Sequence, residues 1–396
     1  MTHHLARLTT CAAVFSAVAC TSASTNDAAR VGDADAAHLA VTVPARPRVD
    51  EVVLSAPDRG TKPAERSTDG EAAAILRELG RLTTAERAAL VRHRALVKRL
   101  PGSTRFRGPN GRELRKTDLL AVVDALLETP AAALPQRLAV EAEDADGYFT
   151  AYYSPEVEVS RVRTAKFRYP ILGYPEGYVG RLPSRRAIEQ DSSLRFDTLA
   201  LAWASHPLDV YQLQLQGSGF VRYRDGAREY LAYGGTNRHP YQSLGLALTR
   251  LGEGVRDISP SGLRKWISRD LAARDTLTAL NPNYGFFRRS SGKARGAAGV
   301  ALTPHVSVAA DPDVYPLGSI LVARVPNPAL PNRMETRLLL VQDTGGAIQG
   351  EGRFDLYTGI GAEGLHAAER VHAEGEVFRL QARRSPTATS AIATAF

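Results

Sequence analysis

The chain has 396 residues, 44% of them hydrophobic and 23% charged, an ordinary globular composition with length for two or three domains. Its net charge of +8 suits anionic partners, yet the basic residues are scattered and no basic run is interleaved with aromatics, which excludes a dedicated nucleic-acid reader. The only cysteines are Cys11 and Cys20, and there is no CxxC or HExxH, so a cysteine zinc site and a disulfide in the folded region are excluded as well.

The N-terminus explains both cysteines. "MTHHLAR" is weakly basic, and "LTTCAAVFSAVA" is apolar but too short to span a bilayer. It ends in "AVAC", so residues 1–20 read as a secretory signal peptide whose Cys20 resembles a lipoprotein acceptor. Ala17 stands where that box usually has leucine, and ordinary cleavage near Ala19 is the alternative. Acyl chains on Cys20 would supply a membrane anchor; no later apolar stretch of about 18 residues occurs. Residues 21–68, rich in Ala, Asp, Ser, Thr, Pro and Arg, read as a flexible tether.

Ordered structure is expected from about residue 69. In "TTAERAALVRHRALVKRLPG", Thr83 and Glu86 have capping-box spacing and Pro101-Gly102 ends the helix. "TDLLAVVDALLETP" gives a second helix, capped by Thr117 and ended before Pro130. Strands are then predicted in "GYFTAYYSP" (147–155), "RFDTLALAW" (195–203), "VYQLQLQGSGFVRY" (210–223) and "EYLAYGG" (229–235). Two helices interrupt them: "PYQSLGLALTRLG", with Pro240 in its first turn, and "SPSGLRKWISRDL", with Ser259 as cap. Strands resume in "HVSVAA", "SILVARV", "TRLLLVQ", "FDLY" and "EVFRL", and residues 382–396 read as a disordered tail. Early helices and late strands point to an α+β fold with a barrel-like sheet, broken near residues 155 and 285.

The clearest alternation is Tyr211, Leu213 and Leu215 against Gln212, Gln214 and Gln216. It reads as a half-buried strand with a solvated face, or as a rank of amides that would hold sugar hydroxyls. Gln216 and Phe220 occupy the two glycine places that GxSxG would need around Ser218, so Ser218 is not a nucleophile elbow. His239 in "YGGTNRHPYQSLG" reads as structural. Tyr152-Tyr153 and Phe286-Phe287 read as core pairs with one ring on each side of a strand. In "FDLY", Phe354 and Leu356 point one way and Asp355 and Tyr357 the other. A carboxyl so placed beside apolar surface suits a general acid. Asp343, ahead of Gly345-Gly346, is a second carboxylate or a turn cap.

In this order and spacing, "GYFTAYYSP", "YPILGYP", "LQLQGSGFV", "YGGTNRHPYQSLG", "NPNYGFF", "VAADPDVYPLGS" and "QDTGGAIQGEGRFDLYTGIG" resemble the type A membrane-bound lytic murein transglycosylases, over roughly residues 145 to 380. The resemblance implies a mainly β fold with flanking helices: a double-psi β-barrel catalytic domain (69–154 and 286–381) and an inserted, smaller β-barrel glycan-binding domain (155–285), with a groove between them for peptidoglycan. It implies Asp355 as the single catalytic acid with Asp343 nearby, and Asp343 is assigned here as its helper. Candidate glycan contacts are Gln214, Gln216, Ser218, Tyr233, Asn237, Tyr153, Gly345 and Gly346. The implied reaction breaks the β-1,4 bond between N-acetylmuramic acid and N-acetylglucosamine and leaves a 1,6-anhydro end, with no metal or other cofactor. A catalytically silent glycan-binding module and a hydrolase using both aspartates are the alternatives. The implied place is the periplasmic face of the outer membrane through Cys20, or the soluble periplasm. Departures bear on the groove: Ser154 stands where the family's "GYYEP" has glutamate, Gly364 and Glu369 stand where the family usually has Ala and Gly after the "GIG" turn, and the "QGEGR" loop between Ile348 and Phe354 differs from the family in sequence.

Overall fold

The computed structural model of the protein describes residues 69–107, 113–143, 145–250, 257, 259–267, 277–327 and 330–383. The expected signal peptide with Cys20, the tether and residues 384–396 lie outside the described residues. Ala382, placed in the expected tail, instead closes the last strand, opposite Leu138.

Helices come first. Helix α1 spans Asp69–Leu79 and α2 spans Thr84–Arg99. The capping box that opens α2 forms as expected: the Glu86 backbone N–H donates to Thr83 Oγ1 at 3.2 Å, and the Thr83 N–H to Glu86 Oε2 at 2.7 Å. Thr83→Ala is expected to lower stability by about 1 kcal/mol in urea titrations, because it orphans one helix-start N–H. After a short hairpin, β1 (Arg105–Arg107) with β2 (Glu113–Arg115), α3 spans Lys116–Glu128. Its cap is not Thr117, which lies inside the helix; the Asp118 carboxylate accepts the Arg115 N–H at 2.7 Å instead. A single turn, α4 (Leu134–Arg137), leads into the strands.

Those strands are β3 (Leu138–Ala142), β4 (Gly147–Ser154), β5 (Glu156–Ser160), β6 (Tyr169–Leu172), β7 (Ala200–Ala204), β8 (Gly219–Tyr223), β9 (Arg228–Thr236) and β10 (Gly285–Ser290). They continue as β11 (Ser307–Ala310), β12 (Ile320–Asn327), β13 (Leu330–Asp343), β14 (Arg353–Ile360) and β15 (Ala373–Ala382). Between them lie α5 (Arg185–Gln190), α6 (Pro207–Leu215), α7 (Leu244–Arg250), α8 (Pro260–Ile267) and α9 (Gly361–Ala368).

One sheet runs β12-β13-β11-β14-β4-β15-β3, and β12 also pairs with β15, so six strands close on themselves. Two of its pairs, β11 with β13 and β14 with β4, are parallel. This is the double-psi β-barrel implied by the resemblance. Alternation fills it. Phe149, Val308, Leu321, Leu339, Val341, Phe354, Leu356 and Val377 meet inside, one or two from every strand, while Val322, Leu338, Leu340, Phe378 and Leu380 face out onto α1, α2 and α3. Phe149 and Phe354 stack with centroids 5.2 Å apart.

The other large sheet runs β10-β9-β8-β5-β7-β6, and a parallel bridge from Gly173 to Phe287 brings its two ends nearly together. The chain thus leaves the first barrel after Ser154, enters the second at Glu156, and returns between Ser290 and Ser307. Phe286 and Phe287 go to different clusters, one ring on each side of β10, as read from the sequence.

Three further expectations fail. Residues 210–215 form not a strand but most of α6, and Gln216 caps its end. Pro207 starts the helix and the His206 ring nitrogen accepts the Leu208 N–H. Val210, Tyr211, Gln212, Leu213 and Leu215 are all buried, so the Gln/Leu alternation lies on a helix with no solvated face to mark its period. "RFDTLALAW" begins as a 3-10 turn, Phe196–Leu199, before β7. Helix α7 starts at Leu244 rather than at Pro240.

Candidate active site

The QDTGG and FDLY stretches meet through one strand. Ala309 of β11 pairs with Asp343 of β13 on one side and with Asp355 of β14 on the other. At 4.7–4.9 Å per strand, the two aspartate Cα atoms are about 9–10 Å apart. Across β14, Asp355 faces Thr150 of β4, and two residues on, Tyr357 faces Tyr152. Phe354 and Leu356 point into the barrel, so Asp355 and Tyr357 stand on its outer face. That face is covered by the second barrel: Tyr152, Ala309 and Tyr357 pack with Phe220 and Tyr230, from β8 and β9.

Asp355 is fully buried there. Thr150 Oγ1 donates to Asp355 Oδ1 at 2.5 Å and itself accepts from Arg353 Nη2 at 2.9 Å. Arg353 also donates to the Phe354 carbonyl at 2.7 Å, and its guanidinium lies 5.3 Å from the centre of the Tyr148 ring. Burial pulls the Arg353 guanidinium below its ordinary range, and the neighbouring Asp355 charge opposes that pull.

Asp343 is bound on every side. Its Oδ1 accepts the N–H groups of Ala297 and Thr344, both at 2.9 Å, and its Oδ2 accepts the Tyr152 hydroxyl at 2.8 Å. Burial pushes its carboxyl up to about 6, the three hydrogen bonds hold it down in part, and the Asp355 charge adds to the rise. Next to it runs a buried polar chain. The Thr303 N–H donates to Ser307 Oγ, Ser307 Oγ to Gln342 Oε1, and Gln342 Nε2 to His93 Nδ1; His93 Nε2 donates to the Gly318 carbonyl. That directionality needs a neutral imidazole, and burial indeed lowers His93 to about 4.

The glycines after Asp343 make a turn. The Gly345 carbonyl accepts from Ile348 N–H, and Gly346 O from the Gln349 amide. Gly350 and Gly352, at φ 83° and 70°, allow the return, which Asp311 Oδ2 holds through the Gly350 N–H at 2.7 Å.

Of the residues expected to touch glycan, Gln216 accepts the Tyr153 N–H at 3.3 Å, so it ties α6 to β4 at the crossing between barrels. Gln214 donates to the Gly285 carbonyl at 3.1 Å. Ser218 lies beside the Tyr230 hydroxyl, close to the covered face, and Tyr233 faces Phe287 within the second sheet. The Tyr153 side chain is buried. Asn237 is a scaffold residue. Its amide donates to the Pro183 and Pro282 carbonyls and its Oδ1 accepts the Tyr284 N–H, which consumes the groups that a sugar would need. Sequence reading missed Thr150, Tyr152 and Arg353. Alternation in "FTAYY" places Thr150 and Tyr152 on one face, but only the parallel β4–β14 register shows which face.

Beyond Tyr357 a cleft of about 570 Å³ opens between the barrels. Phe220 and Arg228 of the second barrel line it together with residues 357–360 at the end of β14, which we call its floor, and with Lys293 and Glu363. Ser154, at the departure from "GYYEP", lies at this floor with its hydroxyl 3.2 Å from the Tyr357 hydroxyl.

The MltA specific insert domain model matches residues 148–288 and the 3D domain model residues 306–381. Membrane-bound lytic murein transglycosylase A of Escherichia coli K12 is 36% identical over 251 residues, which cover 60% of this chain and 68% of that protein. The chain belongs to this family. The Vibrio cholerae member is 35% identical over 248 residues, covering 60% of this chain and 66% of its own. Among solved structures, Escherichia coli MltA with bound chitohexaose aligns at 27% identity and a TM-score of 0.61, covering 83% of this chain and 93% of that one. The membrane-bound lytic murein transglycosylase of Agrobacterium tumefaciens aligns at 25% and 0.62, covering 75% and 93%. Within the family's two domain models, Asp343 and Asp355 both fall in the 3D domain, whereas Thr150 and Tyr152 fall in the stretch matched by the insert model.

Proposed function

We propose that this protein is a peptidoglycan lytic transglycosylase with Asp355 as its single acid and base. Protonated Asp355 gives its proton to the departing glycosidic oxygen between N-acetylmuramic acid and N-acetylglucosamine. Its carboxylate then takes the proton of the sugar's own C6 hydroxyl as that oxygen closes on C1. One bond breaks, one forms, and no water is consumed. Because the nucleophile is already part of the substrate, its effective concentration reaches the order of 10⁵ M or more.

The observation that carries this reading is the contrast between the two aspartates. Asp343 has both oxygens committed to Tyr152, Ala297 and Thr344. A hydrolase would need that second carboxylate free to activate water, so the geometry favours the one-acid route over the two-carboxylate alternative. Asp355 is held by a hydroxyl on the face between the barrels. Its full burial means that a glycan reaches it when the barrels part, turning about the crossings at residues 154–156 and 291–306. The chitohexaose bound by the Escherichia coli relative supports a glycan as the ligand here. The names of the relatives support a place at the cell envelope, and we assign the attachment to Cys20. Among the described residues no helix is long and apolar enough to cross a membrane.

Digestion of peptidoglycan followed by mass spectrometry tests the reaction. Muropeptides with 1,6-anhydro ends are expected. Products heavier by one water, with reducing ends, would mark a hydrolase, and sedimentation with the polymer without release would mark a binding module.

A further inference from the structure

We propose that the cleft beyond Tyr357 reads the charged peptide branch carried by the muramyl residues, with Lys293 taking a carboxylate of the branch and Glu363 an ammonium group. This rests on the reading of peptidoglycan as substrate. The cleft lies one step from the acid: Tyr357 is two residues from Asp355 on the same face of β14, about 6.7 Å along the strand. Its volume of about 570 Å³ is in the range of sites that bury a compact ligand. Its floor is built rather than incidental. Gly364 packs so closely on Gly359 that a Cβ there would lie 2.7 Å from the Gly359 carbonyl carbon, and Ile360 keeps 37% of its surface exposed.

Both signs of charge line this cleft. Arg228 is already engaged: its Nε pairs with Glu156 at 2.7 Å and its guanidinium lies 3.8 Å over the Phe220 ring. Lys293 differs. It follows Gly292, whose φ of 100° sets the turn after β10, and it is exposed at the cleft edge. Among the described residues no carboxylate lies within ion-pair distance of Lys293, and no cation within that distance of Glu363. An exposed Lys or Glu is usually just solvated. Here one of each sign lines the same cleft without pairing with the other, and the peptide branches of peptidoglycan carry both signs. A strand stripped of its peptide keeps only the lactyl carboxylate of each muramyl residue and no ammonium group, so Glu363 above all would separate peptide-bearing strands from stripped ones.

The test compares peptidoglycan with the same polymer stripped of peptide by an amidase. Glu363→Lys is expected to lower the ratio of kcat/KM on the peptide-bearing to the stripped polymer about tenfold, the scale of placing like charges together, and Lys293→Glu to lower it less, because the stripped polymer keeps the lactyl carboxylate. The double swap is expected to recover part of the loss with a branch of mixed charge. An unchanged ratio in both single variants, or an equal fall on both polymers, overturns the proposal. Calorimetric binding of soluble muropeptides against peptide-free oligosaccharides makes the same comparison without turnover. If the wild-type protein released no anhydro product at all, the reaction assigned above would fail, while this binding ratio would still decide the peptide site.

Discussion

Asp355→Asn is expected to lower the release of 1,6-anhydro muropeptides by about 10³-fold or more, at unchanged sedimentation with insoluble peptidoglycan. General acid–base assistance is worth about 10²–10⁴-fold, and here one side chain serves both proton movements, so no partner takes over either half. The substitution is nearly isosteric. The asparagine Oδ1 still accepts from Thr150 Oγ1, whose own position is fixed by Arg353. The outer face of the barrel therefore keeps its shape while losing the exchangeable proton. A fully active Asp355→Asn would remove the basis of the assignment. A variant that neither cleaves nor sediments would show that Asp355 holds the fold or the glycan instead.

Local signals placed Asp355 on its face of the strand but not its setting. "FDLY" was legible because alternation in a strand buried on both faces still separates Phe354 and Leu356 from Asp355 and Tyr357. The capping box at Thr83 was legible for a similar reason: a helix start depends on four consecutive residues. The α6 segment was not. Its glutamines and leucines alternate strictly, but Gln212 is buried with its neighbours and Gln214 and Gln216 reach the backbone of other elements. Tertiary contacts decide such a segment, and the period carries no information about them. The join of Asp343 to Asp355 was hidden for a different reason. It depends on β11 lying between β13 and β14, a parallel and an antiparallel pairing that no local pattern encodes. The quoted motifs, through the resemblance they carry, implied the barrel; residue patterns alone reached only a barrel-like sheet. Tyr152 illustrates the gap. Read as half of a core pair, it is indeed buried, yet its hydroxyl is also what binds Asp343.

Asp343→Asn is expected to stabilise the protein at pH 8 and to weaken its activity. The Asp343 carboxyl sits at about 6 in the folded protein against an ordinary 3.8. Folding thus favours its proton; that contribution is complete below about pH 4 and is lost as pH rises through 6. Above pH 6 the buried charge costs on the order of 3 kcal/mol. Asparagine never bears the charge. Its oxygen keeps the Ala297 and Thr344 N–H groups, and its amide donates to Tyr152 once that hydroxyl turns. The gain at pH 8, read by urea unfolding, is expected at about 1–3 kcal/mol and should vanish near pH 4. His93 runs the other way. Its ring is lowered to about 4 from an ordinary 6.5, so its contribution is complete above pH 6.5 and falls by the order of 3 kcal/mol on acidification to pH 4. In the wild-type chain the two slopes nearly cancel between pH 4 and 6. The variant should expose the His93 slope in that window, and His93→Gln added to it should flatten the curve again. An Asp343→Asn protein less stable than wild type at pH 8 would contradict this account. The helper role proposed for Asp343 would account for that cost, since a negative charge near the acid would stabilise the positive charge that builds at C1 as the glycosidic bond opens. Activity above pH 6 is therefore expected to fall about tenfold in the same variant that folds more tightly, the trade expected where a strained charge serves the reaction rather than the fold.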